Sequence, residues 1–177
     1  METFAPSREN HIQTRESQRN KMIRKAMQSD VLFIHGLLAD YAAKGIVIAR
    51  PISRIYDALR DFFVAEDEKG RRVGCCALSI IWENTCEVRS LVVAPQYQGQ
   101  GWGGRLVRAC LEEAIELKFH RIFTLTLETG FFASLGFKEV DKKELPHKIW
   151  TDCINCIKFP DACDETAMIL DLPKQGD

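Results

Sequence analysis

Gly99, Gly101, Gly103 and Gly104 put four glycines into six positions, after the apolar run Leu91-Val92-Val93 and before a helical apolar pattern. Glycine loses more backbone entropy on folding than any other residue, so such a cluster is destabilising unless the chain needs positive φ or a close backbone approach to a ligand. Where a strand hands over to a helix, backbone amides and the positive end of the helix dipole converge, and a pyrophosphate can sit there without net positive charge. The competing reading is a tight strand-to-helix turn and nothing more. The loop lacks the Lys-Ser/Thr ending of a P-loop, and it follows an antiparallel meander instead of opening a βαβ unit, so neither common nucleotide fold fits.

The rest of the chain supplies the frame for this loop. A short strand is expected at 21–25, then a helix capped by Ser29 or Asp30 that carries Val31, Ile34, Leu38 and Tyr41 on one face and stops at Gly45. A short helix around 53–59 precedes strands at 62–65, 73–81 and 86–93, separated by turns at Asp67-Glu68-Lys69-Gly70 and Glu83-Asn84. These three form an antiparallel meander that Pro95 ends. Leu106, Val107, Cys110, Leu111, Ala114 and Leu117 recur at helical spacing over 103–118, and a buried strand follows at 121–126. Strand, crossover helix, strand implies a parallel pair. A helix over 129–135 stops at Gly136, and strands at 137–140 and 165–172 close the sheet.

With 177 residues, 46% hydrophobic and 28% charged, the chain is sized for one globular domain, assigned to residues 21–177, behind a polar tail at 1–20. A net charge of −1 with scattered Lys and Arg argues against nucleic acid or an anionic membrane as a partner. No apolar run reaches the roughly 20 residues that cross a bilayer, and the N-terminus lacks a secretory pattern, so a cytoplasmic place is expected. Seven cysteines is an odd count, and four of them sit in apolar segments, which fits a reducing compartment.

The stretch from Val93 to Gly103 resembles the acetyl-CoA loop of the GNAT acetyltransferases, whose pattern QxxGxG is matched by Gln98, Gly101 and Gly103. The segment Phe131-Phe132-Ala133-Ser134-Leu135-Gly136-Phe137 resembles the second CoA-side segment of that family, a helix ending in Gly-Phe. The resemblance implies an α+β fold with a central mixed, mostly antiparallel sheet flanked by helices, and acetyl-CoA as cosubstrate. It puts Leu91, Val92 and Val93 along the pantetheine arm, Gln98, Gly99, Gln100, Gly101, Trp102, Gly103 and Gly104 around the pyrophosphate, and Phe132 on the cofactor side. Over 21–172 the chain further resembles short single-domain N-acetylglutamate synthases of arginine biosynthesis, through Gly45-Ile46-Val47-Ile48-Ala49-Arg50, Glu87-Val88-Arg89-Ser90-Leu91-Val92-Val93, Phe123-Thr124-Leu125-Thr126 and Leu145-Pro146.

That resemblance implies acetylation of an amino acid's α-amino group, L-glutamate foremost. An α-ammonium must lose a proton before it attacks, and Glu87, on the strand entering the loop, is the candidate base; an ordinary ion pair with Arg89 on the same face is the alternative. Thr126 stands where the synthases carry a hydroxyl, and is the candidate partner of the departing thiolate, although strand propensity alone also explains a threonine there. Arg50 and Arg89 are the candidates for a substrate carboxylate, which a guanidinium binds with paired hydrogen bonds, against a reading as solvated surface arginines. Where the longer synthases carry basic residues entering the last strand, this chain has Asp164-Glu165-Thr166, so the resemblance assigns no partner to glutamate's side-chain carboxylate.

Cys153, Cys156 and Cys163, with His147 upstream, leave three readings open: a structural zinc, a disulfide or redox pair, or packed thiols; no metal ligand is assigned. Two other functions compete with amino-acid acetylation: a GNAT enzyme for another amine, such as a polyamine, an antibiotic or a protein N-terminus, and a non-catalytic acetyl-CoA-binding module. Homodimers are common in the resembled family, and no residue marks an interface.

Overall fold

The computed structural model describes residues 22–145, Cys153, Lys158 and 162–173. The polar segment 1–20, and Pro146, His147 and Cys156 of the later cluster, lie outside the described residues. Seven strands form one sheet: β1 (Met22–Lys25), β2 (Phe62–Glu66), β3 (Arg72–Trp82), β4 (Thr85–Val93), β5 (Arg121–Thr126), β6 (Lys138–Val140) and β7 (Thr166–Asp171), in the order β1-β2-β3-β4-β5-β7-β6. Among the described residues only β4 and β5 pair in parallel, and the other neighbouring pairs are antiparallel. Among the described residues, helices α1 (Val31–Ala42), α2 (Ile52–Asp57), α3 (Trp102–Glu116) and α4 (Thr129–Ser134) flank the sheet. This is the expected α+β architecture of a mixed, mostly antiparallel sheet.

Local chemistry explains the joints. In the β2–β3 turn Gly70 takes φ 70°, and the Asp67 carboxylate accepts the amides of Lys69 and Arg71, both at 2.9 Å. After α1, Gly45 adopts φ 70° and its amide donates to the Ala42 carbonyl, ending the helix as the sequence predicts. The start of α1 differs from expectation. Asp30 precedes the helix but makes no side-chain cap bond; it is fully buried, accepting from Arg24 at 2.6 Å, Arg72 at 2.7 Å and the Met27 amide at 2.8 Å. Two cations compete for it better than helix amides do, and the carboxylate ties β1 and β3 to the helix start.

The two faces of the sheet carry separate cores. On one, Cys76, Leu78, Cys86 and Val88 pack against Trp102, Leu106, Val107, Cys110 and Ala114 of α3. On the other, Val64, Cys75, Ala77 and Val92 pack against Val31, Ile34, Leu38 and Tyr41 of α1 and Ile55 of α2. Leu106 is fully buried, and its truncation to alanine would cost about 2–5 kcal/mol. Among the described residues no helix is long and apolar enough to cross a membrane.

Candidate active site

The site begins with an irregularity in β4. Ala77 of β3 aligns with Arg89 and Cys75 with Val92, so Ser90 and Leu91 both face the single residue Cys76; Ser90 has φ 54°. One inserted residue reverses the face taken by every later side chain. Cys86 and Val88 before the bulge, and Leu91 and Val93 after it, therefore all pack toward α3, whereas Val92 packs toward α1. The Arg89 and Ser90 carbonyls meet the thiols of Cys76 and Cys75 at 3.7 and 3.8 Å. Pairing of β4 with β5 stops at Glu87 opposite Phe123, although β4 continues to Val93 and β5 to Thr126. The two strands therefore part company just where the glycine loop begins.

A cleft of about 970 Å³ opens at this divergence. Every residue assigned to a site from the sequence lines it except Val92, which the bulge turns into the α1 core, and Gln100, whose exposed amide donates to the Gln96 carbonyl at 3.1 Å. Gly99 and Gly101 take φ 70° and 81°, and a Cβ on either would meet nothing within 4 Å, so backbone conformation and not crowding calls for glycine there. Gly101 is the N-cap of α3, a 15-residue helix, so the helix's first amides face the cleft. A Cβ at Gly103 would come within 3.4 Å of the Phe131 ring. An open, glycine-lined helix start of this kind fits a pyrophosphate. Trp102 lines the cleft but is 2% exposed and belongs largely to the α3 core.

Gln98 faces inward. Its amide donates to the Tyr41 hydroxyl at 2.6 Å and to the Val93 carbonyl at 3.3 Å, and the Tyr41 hydroxyl itself donates to that carbonyl at 2.6 Å. Burial raises the Tyr41 pKa, with the Gln98 bond opposing. The end of β4 is thus tied to α1 and to the loop through one buried node. From the sequence Tyr41 reads as part of an apolar helix face; its polar tip was the available signal.

Away from the glycine loop the cleft is charged. Arg50 Nε donates to the Ser90 hydroxyl at 3.1 Å. Glu87 and Arg89 share a face, as their alternation predicts, with Arg89 Nη1 3.6 Å from Glu87 Oε2. Thr126 is 7% exposed, and its oxygen accepts the Glu128 amide at 2.9 Å, which leaves its hydroxyl proton to donate. Glu165 also lines the cleft, and burial raises its pKa. Ser90, Tyr41 and Glu165 are cleft residues to which sequence reasoning gave no part. Cys153 is buried against the cleft, and Cys163 Sγ lies 3.1 Å from Lys142 Nζ. Among the described residues no cluster of three His, Cys, Asp or Glu side chains could hold a metal.

Comparison with known proteins identifies the family. The acetyltransferase (GNAT) domain family matches residues 58–139. An uncharacterized N-acetyltransferase of Chlorobaculum tepidum is 40% identical over 83% of this chain and 94% of its own length, and the amino-acid acetyltransferase of Mycobacterium tuberculosis is 39% identical over 68% and 70%. A crystal structure of a Mycobacterium tuberculosis protein in complex with CoA superposes with TM-score 0.75 at 31% identity, covering 86% of this chain and 99% of that one. The N-acetylglutamate synthase of Neisseria gonorrhoeae, solved with coenzyme A and N-acetyl-glutamate, gives TM-score 0.78 at 26% identity, with this chain spanning 35% of its length. The chain belongs to the GNAT family of acetyl-CoA-dependent N-acetyltransferases.

Proposed function

We propose that the acceptor is the α-amino group of an L-amino acid, with L-glutamate as the substrate and N-acetyl-L-glutamate, an intermediate of arginine biosynthesis in the resembled synthases, as the cytoplasmic product. The observation that carries this reading is the cluster of Glu87, Arg89, Arg50 and Thr126 around one cleft with the glycine loop. Similarity to amino-acid acetyltransferases and to a synthase solved with N-acetyl-glutamate supports it.

In this reading the loop amides and the start of α3 hold the pyrophosphate of acetyl-CoA, which supplies the acetyl group as a thioester. Arg50, steadied by Ser90, pairs with the α-carboxylate and orients the amine. Glu87 takes one proton from the α-ammonium, directly or through water, so that a lone pair is free to attack. A β4 amide near Val93 meets the oxyanion, and the Thr126 hydroxyl donates to the sulfur as the C–S bond breaks.

One observation favours a second acceptor. Glu165 lines the cleft at the entry to β7, and its carboxylate would repel a second carboxylate on the substrate. An amino acid with a neutral side chain, such as glutamine, avoids that repulsion.

The test is CoA thiol release from acetyl-CoA with L-glutamate, beside glutamine, aspartate, lysine, spermidine and a short peptide. Turnover selective for glutamate supports the proposal, and selectivity for glutamine supports the second acceptor. Turnover with spermidine or peptide alone overturns both.

A further inference from the structure

Asp61 carries no motif in the sequence. It closes the short 3-10 turn Leu59–Asp61 that delivers the chain into β2. Its Oδ2 lies 3.9 Å from Arg89 Nη2, while Nη1 of the same guanidinium lies 3.6 Å from Glu87 Oε2. Ser79, the cross-strand partner of Glu87, hydrogen-bonds the Asp61 carboxylate. The other charged groups facing Asp61 are Lys25 on β1 and Glu113 on α3, which pair with each other at 2.5 Å. Among the described residues, Arg50, Glu128 and Glu165 are the remaining charged residues along the cleft that Glu87 lines.

One guanidinium therefore stands between two carboxylates, of which Glu87 lines the cleft. A charge-assisted hydrogen bond is typically about 2.7–2.9 Å long. At 3.6 and 3.9 Å the Arg89 guanidinium is farther than that from both carboxylates and acts on each of them. The three side chains are 32%, 18% and 14% exposed for Asp61, Arg89 and Glu87, so water screens these interactions only in part.

The geometry points to Asp61 as a positioning residue that limits how strongly Arg89 acts on Glu87, and so sets the pH range over which Glu87 can accept a proton from the acceptor amine. The inference rests on Glu87 being the base. A cation held by one carboxylate stabilises its ionised form and makes it a weaker base. A second carboxylate on the same cation reduces that effect. Burial raises the Asp61 pKa, and the charge of Arg89 opposes that rise.

The experiment measures kcat/KM for the acceptor against pH in the wild type, Asp61→Asn, Asp61→Glu and Glu87→Gln. Loss of the Asp61 charge removes one of the carboxylates that share Arg89, so in Asp61→Asn the acid limb moves to lower pH by about half a unit or more. The weaker base also lowers the plateau severalfold, roughly as a Brønsted dependence requires. Asp61→Glu keeps the charge and holds the limb at or above the wild-type position. Asp61→Ser, which removes the charge with a small polar side chain, is read in the same way should the asparagine variant fail to fold. A role confined to packing would reduce the amount of active protein without moving the limb, and superimposable limbs for wild type and Asp61→Asn would overturn the inference. The two readings fail separately: Glu87→Gln keeping the wild-type profile removes the base and the inference with it, whereas Glu87→Gln losing the acid limb while Asp61→Asn leaves it in place removes the inference alone.

Discussion

The Nε of Arg50 donates to the hydroxyl of Ser90 at 3.1 Å, and Ser90 is the β4 residue with φ 54°. The arginine proposed to meet the substrate carboxylate is thus braced by the residue at which β4 bulges. Ser90→Ala removes that brace, worth about 0.5–1.5 kcal/mol as a net hydrogen bond. The expected outcome is a roughly two- to tenfold rise in KM for the amino acid, with KM for acetyl-CoA unchanged. Equal changes in both constants would remove Arg50 from the acceptor side.

The node of Tyr41, Gln98 and the Val93 carbonyl predicts the opposite split. In Tyr41→Phe the buried carbonyl loses its 2.6 Å donor and keeps only the longer Gln98 bond at 3.3 Å. Stability falls by about 1 kcal/mol. With the end of β4 less firmly held, KM for acetyl-CoA rises severalfold while KM for the amino acid holds. Steady-state kinetics with each substrate varied in turn checks this.

Gly101 tests the loop. At φ 81° an alanine is strained by about 1–2 kcal/mol. Its Cβ would meet no protein atom within 4 Å. Gly101→Ala is expected to lower the melting temperature and weaken acetyl-CoA binding in calorimetry. An unchanged affinity would mean that the glycine serves the turn alone.

Asp30 gives the fold a pH dependence. Burial opposes its charge, but the bonds from Arg24 and the Met27 amide and the field of Arg72 outweigh it, and its pKa is lowered below the ordinary 3.8. A depressed native pKa contributes stability that is complete above 3.8 and is lost as pH falls through the lower native value. Asp30→Asn should cost about 3 kcal/mol near neutrality, as expected when one partner of a buried ion pair is removed. The difference from wild type should shrink as denaturant titrations move below 3.8. A difference independent of pH would assign the loss to packing.

These residues also mark what was legible in the sequence. The glycine cluster and the apolar period of α3 are local signals, and the meander followed by a crossover helix fixed the parallel β4–β5 pair. The bulge was not legible. Ser90 is not a glycine, and its positive φ accompanies a register shift opposite Cys75–Ala77, which depends on pairing across the sheet. For the same reason Val92 reads as one of a run of cofactor-strand residues, although the bulge turns its side chain away. Asp30 reads as a cap because its partners Arg24 and Arg72 lie on other strands. The insertion of β7 between β5 and β6 depends on long-range pairing that no local pattern encodes.

The proposed chemistry is tested most directly by NMR of the product formed from acetyl-CoA and L-glutamate labelled with nitrogen-15 at the α-amine. The account predicts a new amide proton with one-bond coupling to the labelled nitrogen, appearing in step with CoA thiol release. Thiol release with another amine of the panel, and no coupled amide signal from labelled glutamate, would contradict it.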